Sequence, residues 1–354
     1  MVGPDGTLPL PWLAGALRDG MKRQGHALLV QGPEGVGQFE LAVTLAQAWL
    51  CEVTGAAGVT LRPCGTCAAC RLVQARSHPD LLVLLPEALR DGLGWNLGNA
   101  EGEEGGGGKS KQPSKEIKVD AVRAAVGFAQ TTSARGRGKV VVVHPAGRMN
   151  AVAANTLLKT LEEPPGTARF LLCGSSGEAL LPTLRSRCQL LPLSLPTASE
   201  AASWLSAEGV AEPEVVLAAC GGQPLLARQW AAEGIGARIW LRVPAALCQG
   251  DAGAFTGWPL PRLVDALQKV CHDALCVAVG TAPRYFPLTC IPAGPSVGAL
   301  TAWSKSLQRI ARHVEHPWSA GLLVEALVDE ASHALDRTPA KGRGPATGSL
   351  HFRP

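Results

Sequence analysis

A glycine-rich turn between an apolar segment and a helical one constrains the fold of this chain most strongly. The apolar segment His26–Gln31 runs into the turn Gly32–Gly37, and a helical pattern follows from Gln38 to about Leu50. A strand, a glycine loop and a helix in this order begin a βα unit, whose loop N–H groups can surround a phosphate. The first part of the chain is therefore predicted to be an α/β domain.

Apolar strands and helices continue to alternate beyond this unit. Helices are predicted at Val119–Gln130 and Asn150–Glu163, and Pro164 ends the second because proline cannot continue a helix. The further predicted strands are Leu81–Leu85, Lys139–Val143, Phe170–Cys173 and Leu190–Leu193, with a short helix at Leu180–Arg187. This alternation predicts a parallel sheet with helices on both faces.

The pattern changes after Pro196, where only helices are predicted, with a break near Gly234–Gly257. These helices are Ala198–Leu205, Glu214–Cys220, Leu225–Ala232, 260–280, 296–313 and 319–335. Two further segments, residues 88–116 and the tail 337–354, are rich in glycine with charge or proline. Such sequences bury little apolar surface, so we expect both segments to be disordered.

The glycine loop has the spacing of a P-loop but not its chemistry. The P-loop pattern G-x-x-x-x-G-K-[ST] provides a lysine for the phosphates and a hydroxyl for Mg²⁺. Here those two positions hold Gln38 and Phe39. The acidic residue expected after the strand Lys139–Val143 is replaced by His144-Pro145. We interpret Gly32, Gly35, Gly37, Gln38 and Phe39 as a vestigial loop that binds no ATP; the alternative is an ordinary tight turn in an unrelated α/β protein.

Four of the eleven cysteines, Cys51, Cys64, Cys67 and Cys70, lie close together with the spacing C-x12-C-x2-C-x2-C. Zn²⁺ prefers four tetrahedral thiolates, and a C-x2-C pair supplies two of them from one turn. An iron–sulfur cluster also uses closely spaced cysteines, but the following Cys-Pro of bacterial ferredoxins is absent. We therefore favour a closed, structural zinc site in a reducing compartment.

Composition excludes several classes of protein. The formal net charge of +4 is too small for a dedicated nucleic-acid binder. No apolar run reaches the roughly 18 residues of a membrane span, and the first ten residues lack the pattern of a secretory signal. We therefore expect a cytoplasmic protein without a membrane segment.

Two motifs carry a resemblance to a known family. The segment Asn155–Gly166 (NTLLKTLEEPPG) and the triplet Ser186-Arg187-Cys188 are similar to the signatures of bacterial DNA polymerase III clamp-loader subunits, in the AAA+ superfamily. The cysteine module after the loop helix is another feature of that family. The lost loop residues, and Pro224 where active members carry an arginine, indicate a member that is not an ATPase.

The resemblance implies an architecture and partners. The expected domains are a RecA-like AAA+ domain at 1–195 with the zinc module at 51–70, a helical lid at 196–236 and a helical collar at 237–336. The expected assembly is a hetero-pentameric loader with a gamma/tau-type ATPase subunit and a delta subunit, acting on a sliding clamp and primer–template DNA. The chain would contribute to a DNA-directed DNA polymerase complex, a nucleotidyltransferase, without ATPase activity of its own.

The resemblance also implies a role for Arg187. In the family, the arginine of this triplet reaches the ATP bound by the neighbouring subunit, and an arginine delivered in this way stabilises charge on the γ-phosphate. Lys159, Glu162 and Glu163 are either surface charges or partner contacts. The alternative functions are an ATP-hydrolysing gamma/tau-type subunit, a divergent P-loop ATPase, and a zinc-dependent nucleic-acid-binding module.

Overall fold

The computed structural model describes residues 1–53, 62–95, 113–175, 180–312 and 320–336. The chain divides into two compact units, Met1–Glu200 and the residues from Ala201 onward. The first is built on a sheet and the second on helices.

The first unit alternates strands with helices. Its strands are β1 (Ala27–Gln31), β2 (Leu81–Leu84), β3 (Val140–Val143), β4 (Arg169–Gly174) and β5 (Gln189–Pro192). Its helices are α1 (Leu13–Lys22), α2 (Gln38–Leu50), α3 (Ala68–Gln74), α4 (Glu87–Arg90), α5 (Val119–Gln130), α6 (Ala151–Glu162) and α7 (Pro182–Arg185). The predicted strands and helices of this part are present, with ends shifted by a few residues.

All five strands pair in parallel, in the order β2-β3-β4-β1-β5. Because parallel strands share a direction, the segments that follow β1, β3 and β4 meet at the carboxyl edge of the sheet. The segments that precede the strands meet at the opposite, amino edge. Ligands of open α/β sheets bind at the carboxyl edge.

The sheet is stable because its central strands are apolar on both faces. Each valine of β3 is buried, and so are Phe170 to Cys173 of β4. Such runs are expected of parallel strands covered by helices on both sides. Helix α6 is capped by Asn150, whose side chain accepts a hydrogen bond from the backbone N–H of Ala153 at 2.9 Å.

A buried ion pair fixes the entrance to β3. The Lys139 ammonium lies 3.0 Å from an Asp80 carboxylate oxygen, and both side chains are buried. The backbone N–H groups of Ala134 and Arg135 donate to the same carboxylate at 2.8 and 2.9 Å. Burial acts to raise the pKa of Asp80, but these donors and Lys139 outweigh it and hold the pKa below its usual range.

Asp80→Asn is expected to destabilise the first unit by about 3 kcal/mol, because it leaves a buried lysine without its counterion. A depressed pKa contributes stability at pH values above the unfolded-state value, and that contribution is lost as pH falls through the folded-state value. Wild type should therefore lose protection of the β3 amides below about pH 4, and the variant should have a shallower dependence.

Hydrogen exchange of residues 140–143 between pH 3 and 7 measures this. Asp120→Asn is the matched control, since the side chain of Asp120 is 83% exposed in its pair with Arg123. Equal protection in Asp80→Asn and wild type would contradict the assignment.

The second unit contains helices and no strand within its described residues. They are α8, which begins three residues before the unit boundary (Ala198–Ala207), α9 (Pro213–Ala219), α10 (Pro224–Ala232), α11 (Ala237–Gln249), α12 (Leu260–Ala278), α13 (Val297–Ala311) and α14 (Ala320–Leu335). The prediction of a parallel α/β fold followed by helices is confirmed. The division of the second part into lid and collar at residue 236 stays a prediction.

One apolar core runs through this second unit. At its centre the Trp240 ring stacks on Phe286 at 4.5 Å and contacts Trp230 at 5.5 Å. The buried Asp273 carboxylate accepts the backbone N–H groups of Tyr285 and Phe286 at 2.7 and 2.9 Å. Asp273 therefore fixes the segment after α12 against the helices.

Three predictions are changed or left open. The prediction of a break between helices near Gly234–Gly257 was wrong, because α11 occupies most of this segment and accommodates Pro244. The prediction that residues 88–116 are disordered was wrong at both ends of this segment. Residues 88–95 include the last residues of α4 and a buried Trp95, and Ser114 bonds to Glu87. Residues 96–112 and the predicted tail 337–354 lie outside the described residues.

Of the helices that are described, none has the length and apolar character to cross a membrane.

Candidate functional site

The glycine loop lies at the carboxyl edge of the sheet, immediately after β1. Strand β1 pairs with β4 so that Gln31 faces Gly174, and the N–H of Gly32 lies 3.4 Å from the Gly174 oxygen. This is the position where a βα loop in an open parallel sheet binds a phosphate.

Two glycines make the shape of the loop possible. A Cβ atom at Gly32 would lie 2.1 Å from the backbone oxygen of Leu193, so no larger residue fits there. Gly37 has φ +105°, a conformation that favours glycine, and α2 begins directly after it. The sequence therefore keeps the shape of a P-loop at this edge.

Gln38 occupies the lysine position and bonds to the loop itself. Its side-chain Nε2 donates to the backbone oxygen of Gly32 at 2.9 Å and also to that of Pro33. The side chain is buried, with 6% of the residue exposed. Gln38 thus links the two ends of the loop by hydrogen bonds. It brings no charge toward the space that a polyphosphate would occupy.

Phe39 occupies the hydroxyl position and lies in an aromatic cluster. Its ring is 5.1 Å from the His144 ring and 5.9 Å, edge-on, from the Trp95 ring. Burial lowers the pKa of His144 to about 4, so the imidazole is neutral at pH 7. His144 Nδ1 has no hydrogen-bond partner in the described part of the chain. The two positions where a P-loop enzyme holds Mg²⁺ therefore carry uncharged rings that pack together.

Phe39→Ala is expected to destabilise the first unit by about 3 kcal/mol, because it opens a cavity between Trp95 and His144. The thermal unfolding midpoint and the near-ultraviolet circular dichroism of the purified chain measure the change. Val152→Ala is a control, since 59% of Val152 is exposed and its truncation is expected to cost less than about 0.5 kcal/mol. Unchanged stability of Phe39→Ala would mean that the cluster is not packed as described.

Pro224 stands where the family resemblance predicts an arginine in active members. It is buried in the first turn of α10, where its missing N–H has no intrahelical partner to lose. Proline supplies no cation for a phosphate.

The four clustered cysteines form a second site. Cys51 follows α2, Cys67 caps α3, and Cys70 lies within α3. The sulfur-to-sulfur distances are 3.7 Å for Cys51–Cys64, 3.9 Å for Cys51–Cys67 and 3.9 Å for Cys64–Cys70. All four sulfurs lie within 4.8 Å of one another. A tetrahedral ion with metal–sulfur bonds of about 2.3 Å requires sulfurs about 3.8 Å apart, so the donor set fits one metal ion.

Backbone donors support the thiolates. The N–H of Cys67 lies 3.3 Å from the Cys64 sulfur, and the N–H of Cys70 lies 3.4 Å from the Cys67 sulfur. Burial acts to raise the pKa of Cys64, but the N–H groups of Cys67 and Thr66 outweigh it and bring the pKa to about 6. The cysteine-bearing turns at Cys51 and Cys64–Cys70, called the knuckle below, thus hold at least one thiol that ionises at neutral pH.

The knuckle is tied to the rest of the first unit through polar side chains. Gln74 donates to the backbone oxygens of Gly65 at 2.8 Å and Val2 at 3.0 Å. The buried Gln47 of α2 accepts the Val2 N–H at 2.7 Å. On the other side, Glu52 pairs with Arg135 at 2.7 Å. Loss of the knuckle would therefore disturb α2, the helix that begins at the loop.

Arg187 lies at the opposite edge of the sheet from the loop. It precedes β5, whose Gln189 pairs with Leu28, whereas the loop begins after Gln31. The two positions are about six residues apart along the strands, which is about 20 Å. The structure therefore places the four predicted cysteines within reach of one another, and it places the predicted loop residues at the carboxyl edge. Arg187 lies at the opposite edge, away from this chain's own loop.

Two residues near these sites were not assigned from sequence. Trp95 was placed in the expected insertion, although a tryptophan in a glycine-rich segment is a signal of packing. Glu162 was left as either a surface charge or a partner contact, and it is the partner of Arg187 at 2.6 Å. The strand order could have indicated this pairing, since α6 ends and β5 begins at the same edge of the sheet.

A parallel α/β unit with a P-loop-shaped turn and without the loop's lysine, hydroxyl and acidic residues defines a degenerate P-loop protein. Residues 16–197 match the family model described as "DNA polymerase III, delta subunit". The chain belongs to this family.

Two relatives are named as subunits of DNA polymerase III. The chain is 38% identical over 220 residues to DNA polymerase III subunit delta' of Pseudomonas aeruginosa, covering 61% of this chain and 58% of that protein. It is 32% identical over 265 residues to DNA polymerase III subunit delta' of Escherichia coli, covering 70% and 71%. The chain therefore spans somewhat more than half of the first relative's length. A solved structure of a DNA polymerase III gamma subunit-related protein of Thermotoga maritima aligns over 92% of this chain and 100% of that one, with 18% identity and a TM-score of 0.47.

Proposed function

We propose that this chain is a subunit of the bacterial clamp loader that binds no ATP itself and completes the ATP site of a neighbouring subunit through Arg187. The observation that carries the proposal is the separation of two parts of the chain. In its own loop Gln38 replaces the lysine and bonds to the loop backbone, and Phe39 replaces the hydroxyl and packs on His144, whereas Arg187 is partly exposed at the opposite edge of the sheet.

The loop geometry argues against nucleotide binding by the chain. A triphosphate with Mg²⁺ needs a cation and oxygen ligands at the loop. Here Gln38 bonds to the loop oxygens, and the ligand positions hold Phe39 and a neutral His144. An ATP-hydrolysing gamma/tau-type role or a divergent P-loop ATPase would need another cation in place of the loop lysine and another oxygen ligand for Mg²⁺.

The position of Arg187 supports action in another chain. An arginine about 20 Å from its own loop along the strands cannot reach a nucleotide there. An arginine at a sheet edge can instead reach a nucleotide bound by an adjacent subunit, where it stabilises the charge that develops on the γ-phosphate. The names of the relatives, DNA polymerase III subunit delta', support a place for the chain in the polymerase III complex.

The cysteine cluster supports a single structural zinc ion held by Cys51, Cys64, Cys67 and Cys70. Four thiolates leave no open position for a substrate, which is the character of a structural site. A multinuclear iron–sulfur cluster would separate the sulfurs more widely than the 4.8 Å observed. When bound, zinc would neutralise thiolate charge and hold the knuckle against α2.

The proposed partners are a gamma/tau-type ATPase subunit and a delta subunit in a hetero-pentamer, with the sliding clamp and primer–template DNA reached through that assembly. The lid at 196–236 and the collar at 237–336 would provide the contacts between subunits. The proposed location is the cytoplasm, where DNA replication takes place in bacteria.

Co-purification followed by an ATPase assay tests the proposal. The chain is expected to purify in a complex with gamma/tau-type and delta subunits of the same organism. The complex is expected to hydrolyse ATP faster, in the presence of clamp and primed DNA, than the same subunits without this chain. Failure to form the complex, or hydrolysis by the chain alone, would contradict it.

A further inference from the structure

The end of α6 and the segment that carries Arg187 meet at one edge of the sheet. Helix α6 runs back from the carboxyl edge after β3 to the amino edge before β4, so Glu162, its last residue, lies at the amino edge. Arg187 follows α7 and precedes β5 at the same edge. The topology therefore places Glu162 beside Arg187, although 25 positions separate them in sequence.

The contacts of the Arg187 guanidinium are directional. Its Nε donates to Glu162 Oε1 at 2.6 Å, and Nη2 contacts the same oxygen. Its Nη1 donates to the backbone oxygen of Thr183 at 2.9 Å and lies 3.4 Å from Ser186 Oγ. Arginine has five N–H donors. One Nη2 hydrogen has no partner within the described residues, and the contact to Ser186 is long and weak.

Glu162 holds the guanidinium by one side edge. The carboxylate takes the edge formed by Nε and one Nη2 hydrogen. At the tip, the other Nη2 hydrogen is left for another acceptor, whereas Nη1 donates to the Thr183 oxygen and only weakly to Ser186. A phosphate that accepts two N–H groups of the fork in parallel would take this Nη2 hydrogen and replace the weak Nη1 contact to Ser186. The side chain of Arg187 is 33% exposed, so an acceptor from another chain can approach it.

Ordering a long side chain costs free energy. An arginine has about 2 kcal/mol of rotamer entropy to lose when it is fixed. Contacts that already hold the side chain in the free subunit reduce the part of this cost that falls on the transition state. The Glu162 carboxylate is 45% exposed and its charge is partly screened, so it opposes a neighbouring phosphate only weakly.

We propose that Glu162 is a positioning residue for the arginine finger: it orients the Arg187 guanidinium by its Nε edge so that the tip faces the γ-phosphate of ATP in the neighbouring subunit. This rests on the proposed function, since it requires that Arg187 act in another chain. The effect belongs to the catalytic step, so loss of Glu162 lowers kcat of the neighbouring site and leaves its KM for ATP and the assembly of the complex unchanged.

The test compares ATPase kinetics of the reconstituted complex containing Glu162→Ala, Arg187→Ala or both. Glu162→Ala is expected to lower kcat about fivefold, within the limit set by the entropy of one arginine. Glu162→Asp, which keeps the carboxylate, is expected to recover part of the rate. Glu163→Gln is the matched control, because Glu163 is the adjacent exposed glutamate and its described cap contact is made by its backbone N–H, and it is expected to retain the wild-type rate.

The double variant separates positioning from a general structural role. If Glu162 acts only through Arg187, the double variant is as slow as Arg187→Ala alone, since residues that act as a unit are not additive. Multiplied losses in the double variant, or a Glu162→Ala rate equal to or above wild type while Arg187→Ala is slow, would overturn the positioning role and leave the proposed function intact. A wild-type rate for Arg187→Ala in an intact complex would overturn both.

Discussion

Arg187→Ala is expected to reduce ATP turnover at the neighbouring site by at least about 100-fold, because arginine fingers delivered from a second chain contribute 10³–10⁵ in comparable phosphoryl transfers. The total ATPase rate of the complex should fall by the share of that one site, and clamp loading onto primed DNA should fall further. Arg187→Lys should be intermediate or poor, since an ammonium lacks the planar fork.

The measurement is single-turnover hydrolysis in a reconstituted complex in which the other ATP sites are inactivated. Arg185→Ala is the matched control, because Arg185 is also exposed and ends α7 two residues earlier. Gel filtration confirms that each complex is intact. A wild-type single-turnover rate in an intact Arg187→Ala complex would refute the assignment of the finger.

Removal of the metal is expected to unfold the cysteine knuckle and destabilise the first unit strongly. Structural zinc sites contribute apparent free energies of about 10–16 kcal/mol in small domains. Here Gln74 and the buried Gln47 connect the knuckle to α2 through Val2. We therefore expect chelation or Cys70→Ser to lower the unfolding midpoint of the first unit by more than about 10 °C.

Elemental analysis should give one zinc per chain, and differential scanning calorimetry with and without chelator measures the shift. Cys248→Ser is the control, since Cys248 is exposed and lies in the second unit. A chain that holds no metal yet has the same midpoint as the zinc-loaded protein would contradict a structural role. Iron in place of zinc would correct the identity of the ion.

The sheet could be predicted from sequence because its strands are short apolar runs between breaks. The valines Val140–Val143 are the clearest case, and they form the fully buried β3. Helix α11 could not be predicted, because Pro244 and the glycines on either side resembled a break. Burial of Trp240 and Leu247 in the second core decided the structure there.

The sites divide in the same way. The cysteine cluster could be predicted because ligand spacing is local and the chemistry of zinc restricts it. The aromatic cluster could not, since Phe39, Trp95 and His144 are far apart in sequence and one of them lies beside a glycine-rich segment. The pairing of Glu162 with Arg187 depends on the order of the strands, which periodicity alone does not give.

The central claim is that the chain has the shape of a nucleotide-binding unit but not its function. Isothermal titration of the purified, zinc-loaded chain with ATP and Mg²⁺ tests it directly, with a gamma/tau-type subunit as the positive control. We predict no saturable heat up to about 1 mM ATP, equivalent to less than about 4 kcal/mol of binding. Saturable, Mg²⁺-dependent binding in the micromolar range would contradict it.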